Sequence, residues 1–125
     1  MLLQKNRLKK TSDIEIVFEN GRFVGGALTT LKVWHIIPEK FPKRGYTKDD
    51  LKIAFVVSKK IHKSAVQRNR LKRQMREVVR LLLKENKLRA GNMLLVMAKA
   101  EMIGKTYQEI ETDLLAVLRR TRLLS

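Results

Sequence analysis

Between residues 59 and 76, KKIHKSAVQRNRLKRQMR, eight of eighteen positions are Lys or Arg and none is acidic. Those residue types do one kind of chemistry well, which is to bind phosphate. Lysine offers a compact ammonium, and arginine offers a planar fork of donors that matches a phosphate edge. Residues suited to making or breaking bonds are scarce. There is no cysteine, hence no thiolate nucleophile, no Cys-based zinc site and no disulfide. His35 and His62 are the only histidines, and neither stands at a metal-ligand spacing. Asp49-Asp50 has the charge to attract a cation, but paired acids in a loop ordinarily build turns. No protein catalytic site or protein metal site emerges.

Over the whole chain of 125 residues, 28 basic side chains face 12 acidic ones, a formal charge of +16. A field of that strength attracts polyanions and repels copies of itself, so nucleic acid is the leading partner and no protein partner is evident. A membrane surface is the rival polyanion. No apolar run reaches the roughly 18 residues that a span needs. Met1-Leu2-Leu3 is followed at once by Lys5, Arg7, Lys9 and Lys10, unlike a signal peptide. The expectation is a cytoplasmic protein with no membrane partner. With 44% apolar residues, the length suits a single domain, residues 1–125, resting on burial alone.

The elements that must hold the basic stretch begin with three helix starts of one kind, a hydroxyl residue followed three positions later by Glu or Gln: Ser12-Glu15, Ser64-Gln67 and Thr106-Glu109. They predict helices over about 13–20, stopped by Gly21, over about 65–84, and over about 107–120. Met75, Met93, Met97 and Met102 fall among core-like residues and read as packing. Strands are expected from 28 to 37, 51 to 58 and 92 to 98, with Gly25-Gly26 dividing the first strand region in two. The segment 38–50, with two prolines and mixed charge, reads as a solvated loop. The order αβββαβα has too few strands for two packed sheets, so the helices are expected to cover one face of a single sheet.

On a helical wheel, Leu71, Met75, Val78 and Leu82 fall within one narrow arc, the core face. Asn69, Arg73, Arg76 and Arg80 stand opposite, Lys72 lies on the shoulder, and Arg68 and Arg70 flank the first turn. The ordinary explanation of a charge run is a solvated face, but solvated faces mix signs, and this one has no acid before Glu77. Like charges three and four residues apart repel by a few tenths of a kcal/mol per pair, roughly, and phosphates would relieve that repulsion while releasing counterions.

Ala65-Val66-Gln67-Arg68-Asn69-Arg70-Leu71-Lys72-Arg73, with Arg76 one turn on, resembles the RNR signature of the bacterial ribonuclease P protein component. The resemblance extends to Arg7-Leu8-Lys9, Asp13, Val17-Phe18 and Gly21, to Val57-Ser58-Lys59-Lys60, and to 93–99 and 106–120, nearly the whole chain. It implies an α+β fold: a small α/β sandwich like domain 2 of ribosomal protein S5. It also implies a left-handed crossover from the strand at 51–58 through the basic helix to the strand at 92–98, against a rule that about 98% of such units obey. As function it implies the protein partner of a catalytic RNA that removes 5′ leaders from precursor tRNA, with Mg²⁺ held chiefly by the RNA. Carried over position by position, Lys59, Lys60, Arg68, Asn69, Arg70, Lys72, Arg73 and Arg76 become RNA contacts. Two departures stand out. Ile14 occupies a place where the family usually has Phe, and the link 61–66 is one residue longer than usual, the Ser64 cap suggesting that the turn absorbs it.

The resemblance also implies a cleft for the single-stranded leader, which needs stacking surface edged with positive charge. Phe18, Lys32, Trp34 and Lys99 are the candidates, Trp34 because it shares a strand face with Lys32. Phe23, Phe41 and Phe55 are assigned to packing or loop. Two other readings remain. A structural, ribosomal-type RNA-binding protein without cleavage would fit the bare charge. A duplex DNA reader would need a dimer seam or a helix-turn-helix, and neither is visible.

Overall fold

The structure, a computed structural model, describes residues 2–124. Its elements are α1 (Thr11–Asn20), β1 (Arg22–Gly25), β2 (Thr29–His35), β3 (Leu51–Val56), α2 (Ala65–Lys84), β4 (Asn92–Ala98) and α3 (Tyr107–Arg120), with short 3-10 turns between them. The αβββαβα order is the expected one. A four-stranded sheet runs β1-β2-β4-β3, antiparallel except where β3 lies parallel to β4. That parallel pair requires a crossover, and α2 provides it.

Alternation along the strands feeds two cores. Leu31, Val33, Ile53, Leu94 and Val96 point to one side, against Leu71, Met75, Val78, Val79 and Leu82 of α2 and Ile110, Leu114, Val117 and Leu118 of α3. Trp34, Met93 and Leu95 point to the other, against Val17 of α1. Helices therefore cover both faces, not one as strand counting suggested, because β2 and β4 are apolar on both sides. Each fully buried side chain of this size contributes roughly 1.5–3 kcal/mol. Among the described residues no helix is long and apolar enough to cross a membrane.

Helix ends explain most boundaries. Thr106 and Glu109 form the complete reciprocal cap of α3, and the Ser64 hydroxyl accepts from Gln67 N at 3.3 Å at the start of α2. The Ser12-Glu15 cap does not form. The Ser12 hydroxyl instead accepts from Arg44 Nη2 at 2.7 Å, and α1 starts two residues earlier than Ser12 as a cap would place it, with Lys10 at the cap position. Both longer helices close in Schellman turns: Lys87 N donates to Leu82 O, and Leu123 N donates to Leu118 O. The left-handed residue of the α3 turn is Arg122 at φ 61°, where an L side chain costs about 1–2 kcal/mol that glycine avoids.

The segment between β2 and β3 is less solvated than its composition suggested. Tyr46 is buried, and its hydroxyl donates to Asp13 Oδ1 at 2.5 Å, while Arg44 makes an ion pair with the same oxygen. Asp50, by contrast, does form the expected turn, accepting from Thr47 N at 3.0 Å. At the other end of the sheet the Asp113 carboxylate of α3 accepts from Ala27 N, Thr29 N and Thr29 Oγ1, fastening the β1–β2 turn.

Candidate nucleic-acid interface

The aliphatic ridge of α2 is buried as the wheel predicts, and this turns the cationic edge outward. Asn69, Arg70 and Arg73 are exposed, and their side chains make no hydrogen bond or ion pair within the described residues. Lys72 is half-buried, and so is Arg76, whose guanidinium carbon lies 5.8 Å from the Phe55 ring centroid. Phe55 thus packs, as assigned. Arg80 is taken by Glu77 at 2.7 and 2.9 Å, so the one acid of the helix is spent at its far half. That pairing holds the Glu77 carboxyl below its ordinary range, the Arg80 hydrogen bonds being the main cause.

Lys59 and Lys60 are exposed in the turn that leads from β3 to α2. The turn is pinned internally. Ile61 N donates to Ser58 O at 3.0 Å, Ser64 N donates to His62 Nδ1 at 3.0 Å, and Arg68 Nη1 donates to His62 O and Lys63 O at 2.9 and 2.8 Å. The link 61–66 is thereby folded into the turn, and α2 keeps the register that the Ser64 cap predicts. Arg68 differs from Arg70 and Arg73 in this respect, since one of its guanidinium nitrogens is committed to backbone carbonyls.

On the opposite face of the sheet, α1 covers only part of the surface. Phe18 is 55% exposed, and Lys32 Nζ sits 4.5 Å from its ring centroid while donating to Phe18 O at 2.6 Å. Directly across the β1–β2 ladder from Lys32 stands Phe23, 62% exposed. Phe18, Lys32 and Phe23 form an open aromatic and cationic surface, floored by Leu95 in the same row. Phe23 belongs to this surface and not to packing. Its role was hidden because alternation in β1 shows a face only once the pairing register is known.

Two of the cleft candidates are placed differently. Trp34 is 4% exposed, its ring centroid 5.5 Å from those of Phe41 and Tyr46 in edge-to-face contacts. It shares a face with Lys32 as expected, but the loop after β2 folds over it, so no base can stack there. Lys99 lies beyond the end of β4, roughly 13 Å along the strand from the Leu95 row. It is half-buried, and its ammonium donates to Gly26 O at 3.1 Å. It braces the β1–β2 turn at the margin of the face.

At the foot of α1, buried Asp13 and Tyr46 form a polar network with the more exposed Arg44. Burial works against the charge on Asp13, but the hydrogen bonds from Tyr46 and Arg44 and the charge of Arg44 outweigh it and hold the carboxyl below its usual value. Tyr46 is pushed up by burial first and by its bond to Asp13 second. No sequence motif announced this trio, since Asp13 stands 31 and 33 residues from Arg44 and Tyr46.

The sequence model of the family described as Ribonuclease P matches residues 2–122. The chain is 34% identical to the ribonuclease P protein component of Pseudanabaena sp., covering 99% of this chain and 97% of that one. It is 32% identical to that of Alkaliphilus metalliredigens over 96% of each. In fold it is similar to the RNase P protein of Staphylococcus aureus, with a TM-score of 0.75 at 23% identity, covering 95% and 97% of the two chains. It is also similar in fold to that of Thermotoga maritima, with a TM-score of 0.71 at 22% identity, covering 92% and 96%.

Proposed function

Because this chain belongs to the ribonuclease P protein family, we propose that it is the protein subunit of that ribonucleoprotein and promotes removal of the 5′ leader from precursor tRNA. The observation that carries the reading is the outward edge of α2, where Asn69, Arg70 and Arg73 stand exposed without internal partners above a fully buried ridge. Such an edge exchanges its own repulsion for phosphate contacts when a folded RNA docks. Lys59, Lys60, Lys72 and Arg76 extend it. Arg68 contributes the nitrogens not used in the turn.

The second ligand is the single-stranded leader. Bases stack on Phe18 and Phe23, and Lys32, set between the two rings, meets the backbone phosphate. This open surface separates the reading from a purely structural RNA-binding role, for which a helix edge would suffice. Hydrolysis is assigned to the RNA, and so is the Mg²⁺ that activates water and neutralises the leaving oxygen. The side chains proposed to meet RNA fit that division, since the ionic groups among them, Lys32 and the Lys and Arg of the α2 edge, are cations that repel a metal ion. The protein's part is to hold leader and RNA together by lowering phosphate repulsion, which lowers the Mg²⁺ needed. The cytoplasm, where precursor tRNA is made, is the proposed location.

Reconstitution tests this. The protein alone is expected to leave precursor tRNA intact, and with a bacterial ribonuclease P RNA it is expected to give cleavage at the mature 5′ end at low Mg²⁺. Cleavage by RNA-free protein would overturn the assignment of chemistry to RNA.

A further inference from the structure

The ends of β2 and α3 and the segment after α2 surround a concavity of about 660 Å³. Its rim carries Arg22, His35, Lys40, Arg89 and Arg122, all exposed, and Asn92 meets His35 Nδ1 at 3.3 Å on its floor. No Asp or Glu lines it among the described residues. Of the acids on adjoining segments, Glu85 is paired with Lys87 at 2.7 Å, and Glu19 and Glu39, both exposed, lie outside the lining. Arg22 and Lys40 are tethered by single bonds, to Thr121 O at 3.3 Å and Asn20 Oδ1 at 2.9 Å. The side chains of Arg89 and Arg122 make no hydrogen bond or ion pair within the described residues.

Arg122 adds a conformational argument. It holds the left-handed position of the α3 Schellman turn, which glycine fills without strain. The negative end of α3 already has Arg119 in its last turn, beside Arg120, whose guanidinium donates to Gly25 O at 2.8 Å. An arginine kept in a glycine position, with the helix end served by others, points to work done by its head group.

We propose that this concavity is a second seat for RNA backbone, taking phosphates of the ribonuclease P RNA remote from those gripped at the start of α2. The inference rests on the proposed partnership with that RNA. α2 alone advances about 30 Å from Ala65 to Lys84, so the two seats lie at opposite poles of the molecule. A single edge lets a docked protein pivot. Two separated seats fix its orientation, and the second binds at the high effective concentration set by the first.

Since the chain has no cysteine, single thiols carrying an iron chelate can report each pole: Val66→Cys beside the first seat and Glu39→Cys beside Lys40 of the second. In the holoenzyme, hydroxyl radicals from position 39 are expected to cut an RNA segment distinct from that cut from position 66. Cutting from 66 with none from 39 overturns the second seat and leaves docking through α2 standing. No cutting from either, together with no leader cleavage on reconstitution, defeats the partnership itself. Separately, Arg89→Ala with Arg122→Gly is expected to keep or raise Tm, because glycine relaxes the turn. The same variant should flatten the dependence of log affinity on log salt by about 1.4–1.8 for two lost phosphate contacts. An unchanged slope with Tm maintained would show the two arginines to be solvated surface and overturn the proposal.

Discussion

The Lys32 ammonium holds Phe18 twice, from 4.5 Å over its ring and by a 2.6 Å hydrogen bond to its carbonyl. One contact orients the aromatic face, and the other ties the end of α1 to β2, so the ring is presented at a fixed height above the sheet. A cation so placed also leaves its remaining donors for a ligand.

Phe18→Ala is therefore expected to weaken binding of precursor tRNA to the holoenzyme more than binding of mature tRNA. The difference is worth about 1–3 kcal/mol if one base stacks on the ring. Equal losses for the two ligands would show that Phe18 serves folding instead. Phe23→Ala is expected to behave in the same way, and its high exposure makes a stability effect small.

Arg73→Ala and Arg68→Ala should differ in kind. Loss of Arg73 is expected to reduce the salt slope of RNA binding by about 0.7–0.9 with Tm unchanged, as for a phosphate contact and nothing else. Loss of Arg68 also frees His62 O and Lys63 O, so Tm should fall along with the slope. Identical behaviour of the two variants would contradict the pinned turn.

Trp34 is the only tryptophan, and its emission reports on its surroundings. It should resist quenching by acrylamide and should not change when leader binds, because Phe41 and Tyr46 enclose it. Trp34→Ala is expected to destabilise the fold by about 3–5 kcal/mol, and urea unfolding measures this. Strong quenching on addition of precursor tRNA would return Trp34 to the cleft.

The Asp13 network sets an acid limit. The folded carboxyl titrates below its ordinary value of 3.8, so its charged form favours the native state above about that pH. That stability is lost as pH falls through the lowered folded value. Asp13→Asn should remove this acid-limb component. It should also cost about 1–3 kcal/mol at neutral pH, by leaving buried donors poorly matched. Denaturant melts from pH 2 to 7 would reveal it.

The basic helix and its ridge were legible because caps and a 3.6-residue period are local properties, and Ser64, Leu71, Met75, Val78 and Leu82 carry both. Cleft membership was not. Lys32 and Trp34 do share a face, yet one is open and the other sealed by residues 41 and 46, a difference decided by a loop whose path depends on a distant Asp13. Phe23 comes beside Lys32 through a strand register that no local pattern shows. The Ser12 cap failed for the same reason, since Arg44 arrives from thirty-two positions away to take its hydroxyl.

β3, at the edge of the sheet, lies parallel to the inner strand β4, and the covalent tie between them is the helix that bears the RNR residues. The ridge of that helix and the inner faces of the parallel pair belong to one buried cluster, so the native core is not complete until the helix is seated. Any molecule that has acquired its native core therefore already displays the arginine comb in working order, and quality control of folding is also quality control of RNA docking.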